Sequence, residues 1–203
     1  MQNPKVPIKI NNNNIASNSA FADGVVLLVI TCPAGYTVTG TSFATLKEAE
    51  ALGFTESQDN TLNCLAWEHI RAFYAQVGKS KVHVLLLDEA VTNEDIFTTT
   101  EAAYNSLLER VNELNGEIKI VGVATNPTTE SAPTAGVSAT TLAAIPLANT
   151  FAQKMFDENK PLMVVLEGRY FLVSANGIAT AATNLRTTYD APFVAVSVFR
   201  DRQ

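Results

Sequence analysis

The chain has 203 residues, a net charge of −6 and a sequence pI of about 4.9. This acidic balance, without any cluster of Lys and Arg, argues against binding of nucleic acid through its phosphates and against a basic face for anionic membranes. Apolar residues make up 47% of the chain, which is enough for the core of one domain, whereas only 17% of the residues are charged. The low charge hints that part of the surface is covered in an assembly.

Residues 1–24 show little regular spacing of apolar residues. They include two prolines and the Asn11–Asn14 run, and asparagine favours turns over regular pairing. We predict an extended N-terminal arm with one strand around residues 6–10. The start lacks the apolar core of a signal peptide, and the longest apolar run, residues 25–30, is too short to cross a bilayer. We therefore expect no membrane association and folding in a cytoplasm.

Apolar runs rich in β-branched residues predict the strands. A continuous run of this kind indicates a strand that is buried on both faces. Glycine, proline and threonine-rich stretches between them predict loops at residues 33–40 and 126–136. The predicted strands are residues 24–32, 81–87, 117–124, 162–166 and 193–199.

Four segments between these runs predict helices. Thr45 can cap the first, with Glu48 completing a capping box and Gly53 ending it. Apolar residues spaced three and four apart predict the second and third, the third opening at Asn93 or Asp95. The fourth carries a start or kink at Pro146. The predicted helices are residues 46–52, 60–77, 93–114 and 140–157, and residues 169–188 remain ambiguous.

Strands that alternate with helices predict an α/β fold, with a mostly parallel (mixed) sheet and helices on both faces. We assign residues 1–24 to the arm and residues 25–203 to this core domain. In such a sheet, ligands bind beyond the carboxyl ends of the strands, so any site is expected there.

The loop after the first strand is the best indication of an enzyme. Gly35 and Gly40 have the spacing of a phosphate-binding loop, but the position that needs lysine holds Thr41. Tyr36 and Val38 also favour an extended backbone. We interpret the segment as a surface loop that does not bind nucleotide.

Acidic side chains follow two of the predicted strands. Asp88, Glu89 and Glu167 could together hold Mg²⁺, which prefers oxygen ligands. The alternative is that Asp88 and Glu89 end a strand and help to start the next helix, and we favour it. The sequence therefore predicts no metal site.

Other reactive side chains have structural interpretations. His69 and His83 lack a second histidine at ligand spacing, and Cys32 and Cys64 match no zinc pattern. We predict that both histidines are structural and that both cysteines are buried thiols. Trp67, with the aromatic residues of its helix, is assigned to packing. No Gly-x-Ser-x-Gly elbow occurs, so we predict no catalytic residue and no cofactor.

Taken in order, these elements resemble the core of contractile phage tail sheath proteins, including those of prophages and related injection systems. Sheath proteins show a similar order along the chain, in which a secondary-structure element is followed by a helix, a glycine and a strand. The resemblance covers most of residues 20–203 through diffuse patterns rather than catalytic signatures. It is carried by GVVLLV at 24–29, FATLKEAEALGFT at 43–55, NCLAWEHIRAFYAQVGKSKVHVLLL at 63–87, PLMVVLEGRYF at 161–171 and FVAVSVFRD at 193–201.

The resemblance implies a structural subunit that assembles with copies of itself, as rings around an inner tail tube protein. It implies a location in the cytoplasm of the producing bacterium and then in the virion tail, with residues 2–19 as an arm that pairs with a neighbour. Sheath subunits continue into a further C-terminal region, so it also implies that this chain is a truncated fragment.

Two other functions stay open at this point. One is an α/β enzyme or small-molecule binder that uses the strand ends near Gly35, Asp88, Asn126 and Glu167. The other is an adaptor domain that binds a different protein.

Overall fold

A computed structural model describes residues 25–125, 137–168, 185 and 189–197. Within them, six strands form one sheet in the order β2-β3-β1-β4-β5-β6, and every neighbouring pair is parallel except β2 and β3. The strands are β1 (Val25–Cys32), β2 (Gly40–Phe43), β3 (Val82–Asp88), β4 (Ile118–Ala124), β5 (Met163–Glu167) and β6 (Val194–Ser197). The helices are α1 (Leu46–Ala51), α2 (Glu56–Leu62), α3 (Ala66–Val77), α4 (Asn93–Phe97), α5 (Ala102–Glu113) and α6 (Ala139–Asp157).

The predicted α/β class with a mixed, mostly parallel sheet is confirmed. Strands β1, β3, β4 and β5 lie within one residue of their predicted bounds. The prediction for the last strand holds over β6, and residues 198–199 lie outside the described part. The predicted arm, the loop at 126–136 and nearly all of the ambiguous stretch at 169–188 also lie outside it.

Strand β2 was not predicted. Its four residues pair antiparallel with β3, with Gly40 opposite Leu85 and Phe43 opposite Val82. A strand this short carries little local signal, because its formation depends on an exposed partner edge and on Phe43 entering the core. The predicted loop therefore ends where β2 begins.

The helix predicted over residues 60–77 is wrong in its extent. The chain forms α2 and α3, separated by a break at Asn63, which caps α2 in the left-handed conformation with φ of 52°. Asparagine tolerates this conformation better than most residues do. The apolar spacing continued across the break and concealed it.

The helix predicted over residues 93–114 is likewise two helices, α4 and α5. Thr92 and Asp95 form a capping box at the start of α4, and Thr98 ends that helix in an extended conformation. A run of three threonines, whose β-branched side chains are restricted in a helix, follows at this point. The predicted helices α1 and α6 are confirmed, but Pro146 lies inside α6 and not at its start.

Two apolar cores cover the two faces of the sheet. The first lies between the sheet and α4, α5 and α6, and the second lies between the sheet and α1, α2 and α3. Leu27 and Val29 of β1 point into the first core, whereas Ile30 and Cys32 belong to the second. Among the described residues, no helix is long and apolar enough to cross a membrane.

Candidate functional site

The acidic side chains at the carboxyl edge of the sheet do not meet. Asp88 ends β3 and Glu167 ends β5, and strands β1 and β4 run between them. Three strand spacings separate the two positions, which corresponds to about 14 Å. The Asp88 carboxylate accepts a hydrogen bond from the Ala90 amide at 2.9 Å, so it closes a turn at the strand end. Within the described residues, no group of three His, Cys, Asp or Glu side chains could hold a metal ion.

The glycine-containing segment after β1 has a packing role. Gly40 and Thr41 belong to β2, where they pair with β3. Gly35 has φ of +151°, and a Cβ at this position would lie 2.5 Å from the Leu62 Cδ2 atom. The Gly35 carbonyl accepts a hydrogen bond from Gln58 Nε2 at 3.2 Å, which ties the segment to α2. These glycines serve a strand and a close packing contact, not a phosphate cradle.

A buried polar network fills the carboxyl edge near β4 and β5. Asn93, Thr125 and Thr141 are all 0% exposed. Asn93 Nδ2 donates to Thr141 Oγ1 at 2.8 Å, and Thr125 Oγ1 donates to Asn93 Oδ1 at 3.4 Å. Thr141 Oγ1 donates in turn to the Glu167 carbonyl at 3.1 Å. Because its members bond to one another, the network pins α4 and α6 to the strand ends. Sequence analysis missed it, and the polar Thr125 directly after an apolar run was its only signal.

Three of the residues predicted to be structural, Cys32, Cys64 and His83, are buried, and His69 is half-buried. Cys32 and Cys64 are buried free thiols, as predicted. Burial, reinforced by nearby acidic groups, raises the pKa of Cys32 to about 12. His83 is 1% exposed in β3, whereas His69 lies on α3 on the other side of the sheet. The two histidines therefore cannot act on one ligand.

The feature that stands out is a part of the sheet that no described helix covers. We call it the β4–β6 face. It lies on the same side of the sheet as α1, α2 and α3, but beyond the strands that those helices cover. Strand registers place its side chains next to one another across β4, β5 and β6, and its members are Ile120, Gly122, Met163, Val165 and Ala195.

Exposure increases from β3 to β5 along one row of side chains that crosses the sheet. Val82, Val26, Ile120 and Met163 are partners in successive strands β3, β1, β4 and β5. Val82 is fully buried, Val26 and Ile120 are half-buried, and Met163 is 48% exposed. The helical layer on this side therefore ends over β1.

A second row of residues across the sheet shows the same increase in exposure. Val84 is 0% exposed, Leu28, Gly122 and Val165 are half-buried, and Ala195 is exposed. Leu28 leans over Gly122, because a Cβ on Gly122 would lie 3.3 Å from the Leu28 Cδ2 atom. Neither Ile120 nor Val165 packs into either of the two cores.

An uncovered parallel sheet face is unusual for physical reasons. Crossover helices normally cover both faces of a parallel sheet, and for that reason its strands are apolar on both sides. The described connections place α4, α5 and α6 on the opposite face, which is where the crossovers β3 to β4 and β4 to β5 pass. The apolar side chains of the β4–β6 face thus have the composition of a covered surface without a described cover.

Two aromatic residues lie near the amino end of the outer strands, on the side of the first core. Phe156, on α6, is 52% exposed and packs on Phe193 with ring centroids 5.9 Å apart. Phe193 immediately precedes β6, and its carbonyl accepts a hydrogen bond from the Val164 amide at 2.9 Å. Phe193 packs against the first core, so this aromatic pair belongs to the α6 side of the sheet and not to the β4–β6 face.

The comparisons with known proteins identify a family but no activity. No curated protein matches the chain. The family model described as DUF2586, N-terminal domain, matches residues 3–202, which is nearly the whole sequence. The chain therefore belongs to the DUF2586 family.

Proposed function

We propose that this protein is a structural subunit that assembles with copies of itself into a contractile phage-type tail sheath around an inner tube. The observation that supports self-assembly is the β4–β6 face. The resemblance of residues 20–203 to sheath cores supplies the kind of assembly. In this proposal the chain works in the cytoplasm of the producing bacterium and then in the virion tail.

The β4–β6 face suits association because its five residues are all uncharged. Covering them removes apolar surface from water, worth about 25 cal/mol per Å², without the cost of desolvating a charge. A sheet also loses little conformational entropy on association, because its backbone is already fixed by pairing with neighbouring strands.

The partner in this proposal is a second copy of the chain. In a ring or helix, every subunit offers the same face to an identical neighbour, so one uncovered surface is buried throughout the assembly. Within the described part of one subunit, Met163 on this face is half in water. The low charged fraction of the chain, 17%, is consistent with a surface that is extensively covered.

A pair of matched substitutions tests this proposal. Met163 and Val77 are 48% and 47% exposed, but only Met163 lies on the β4–β6 face. Met163→Lys should weaken self-association at least about tenfold, since a lysine ammonium would have to leave water. Val77→Lys, at the carboxyl end of α3 where a cation is favourable, should leave association unchanged.

Sedimentation velocity over a range of concentrations measures the association, and negative-stain electron microscopy reports the shape of the particles. Rings or tubes from the wild type and from Val77→Lys, but not from Met163→Lys, are the expected result. A wild-type protein that stays monomeric at every concentration, with and without a tail tube protein, would contradict the proposal. Equal loss of association in both variants would mean that the β4–β6 face is not the surface through which copies associate.

A further inference from the structure

A cluster of charged side chains surrounds a buried histidine at the amino edge of the sheet. His83 lies in β3, on the side of the first core, and is 1% exposed. Arg110 from α5, Lys81 just before β3 and Glu117 just before β4 face it. The cluster lies on the opposite side of the sheet from the β4–β6 face, so its role is independent of the proposed assembly.

Arg110 joins three elements through its guanidinium group. Its Nη2 atom lies 3.5 Å from His83 Nδ1 and donates to the Thr41 carbonyl of β2 at 3.3 Å. Its Nη1 atom donates to Glu113 Oε2 at 3.0 Å. The side chain thereby connects α5 with β3 and with the edge strand β2.

This geometry fixes which ring nitrogen of neutral His83 carries the hydrogen. A guanidinium group is always protonated and has only donors, so His83 Nδ1 must be the acceptor of the pair. The hydrogen of the neutral ring then sits on Nε2, which lies 3.7 Å from Glu117 Oε2. At that distance Nε2 makes no hydrogen bond, and neither does the buried Nε of Arg110.

We propose that this cluster is a pH-sensitive latch, in which protonation of His83 releases Arg110 from Thr41 and loosens the edge strand β2 from β3. A second proton on the ring would place an N–H at Nδ1, directly against the N–H of Arg110. The two groups would then be cations 3.5 Å apart in a buried site, where charges interact strongly.

The other charges do not cancel this repulsion, because both nearby carboxylates are already paired, Glu113 with Arg110 at 3.0 Å. Lys81 adds a third cation, and the Glu117 carboxylate that could balance the imidazolium is already paired with Lys81 at 2.7 Å. Burial is the main cause that lowers the pKa of His83, and Lys81 and Arg110 lower it further, whereas Glu117 acts in the opposite direction. The ring is therefore neutral near neutral pH and takes up a proton only on acidification.

The lowered pKa of His83 determines whether acid closes or opens the latch. Because the pKa of His83 is lower in the folded state than in the unfolded chain, acid favours states in which the ring is exposed. The latch is fully closed above the ordinary histidine pKa of about 6.5 and weakens as the pH falls from there toward the folded pKa. Strand β2 is the element that yields, because it has four residues and, in the described part of the chain, a single paired edge.

Release of β2 has a structural consequence for β3. The N–H and C=O groups of β3 that pair with β2 would lose their partners, and an unpaired strand edge is a template for another strand. Mild acid would therefore convert a closed edge of this sheet into one that can accept a strand.

Hydrogen exchange followed by mass spectrometry tests the latch. After correction for the intrinsic pH dependence of exchange, peptides over residues 40–43 should exchange about tenfold faster near pH 5.5 than near pH 7.5, while those over β4 and β5 stay unchanged. His83→Gln, which remains neutral and keeps an acceptor for Arg110, should abolish the acceleration. His69→Gln, the control for the other histidine, should preserve it.

A measurement on the wild type covers the case in which His83→Gln does not fold. The His83 ring signals and the amide signals of residues 40–43, followed by NMR, should titrate with one common midpoint. A constant exchange rate of β2 across this pH range would overturn the latch. So would a response that survives in His83→Gln or that disappears in His69→Gln, or two NMR midpoints that differ.

Discussion

Replacing Asp59 with alanine should destabilise the protein by about 2–4 kcal/mol, because this buried carboxylate joins α2, α3 and the segment after β1. Asp59 is 5% exposed. Its Oδ1 atom accepts from the Tyr36 hydroxyl at 2.5 Å and from Cys64 Sγ at 3.3 Å. Its Oδ2 atom accepts from the Glu68 amide, in the first turn of α3, at 3.2 Å. Asp59 thus caps a helix that has no side-chain cap of its own.

The magnitude follows from these bonds. A buried donor left without a partner costs about 1–3 kcal/mol, and loss of a helix cap costs about 0.5–2 kcal/mol. The thiol of Cys64 is a weak donor and adds little. Tyr36→Phe removes one donor and keeps the cap, so it should cost only about 1 kcal/mol. Burial and the bond to Asp59 both raise the pKa of the Tyr36 hydroxyl, which keeps it a donor at every ordinary pH.

Urea denaturation followed by the fluorescence of Trp67, the single tryptophan, measures these changes. Glu56→Ala is the control, because Glu56 is an exposed acid on the same helix and should change the free energy of unfolding by less than about 0.5 kcal/mol. An Asp59→Ala variant that is as stable as Glu56→Ala would refute the reasoning. It would mean that water replaces the three bonds at no cost.

Three further outcomes can be checked on single variants or on the wild type. Gly35→Ala should cost about 1–3 kcal/mol, since its φ is positive and its Cβ would press on Leu62; an unchanged melting temperature would contradict this. Burial is the largest cause that raises the pKa of both Cys32 and Cys64, so neither thiol should react with iodoacetamide near pH 8 until urea is added. Rapid labelling of the native protein, seen by mass spectrometry, would contradict the assigned burial. Asn93→Leu should cost about 1–3 kcal/mol, because it leaves two buried threonine hydroxyls without their amide partner, and chemical denaturation showing a stabilised variant would be inconsistent with the network.

The sequence was most informative where local pattern and final environment agree. The run that forms β1 is apolar except at Thr31, because β1 lies inside the sheet between β3 and β4. It was least informative where a local signal competed with a longer pattern. Asn63 is a typical left-handed cap, but apolar residues at 62, 65 and 66 continued the helical spacing past it. Strand β2 had almost no local signal, since its pairing depends on β3, some forty residues away along the chain.

The candidate surface could not be predicted for a different reason. The runs that form β4 and β5 predict burial on both faces, and this burial pattern does not say which element provides the cover. Ile120 and Val165 look like core residues in the sequence, yet neither packs into a core of the described chain. Only strand order, which puts β4, β5 and β6 beyond the helices on that side, separates them from Val82 and Val84.

Methionine oxidation tests the central claim, that the β4–β6 face is buried against sister molecules, most directly. Met163 is 48% exposed on this face, and Met155 is 0% exposed in the first core, so one protein carries both the probe and its buried reference. Brief treatment with hydrogen peroxide, read out by peptide mass spectrometry, should oxidise Met163 readily in dilute protein and leave Met155 intact. As the protein is concentrated into particles, Met163 should become as protected as Met155. If Met163 stays equally reactive in dilute protein and in particles, copies of the chain do not cover the β4–β6 face.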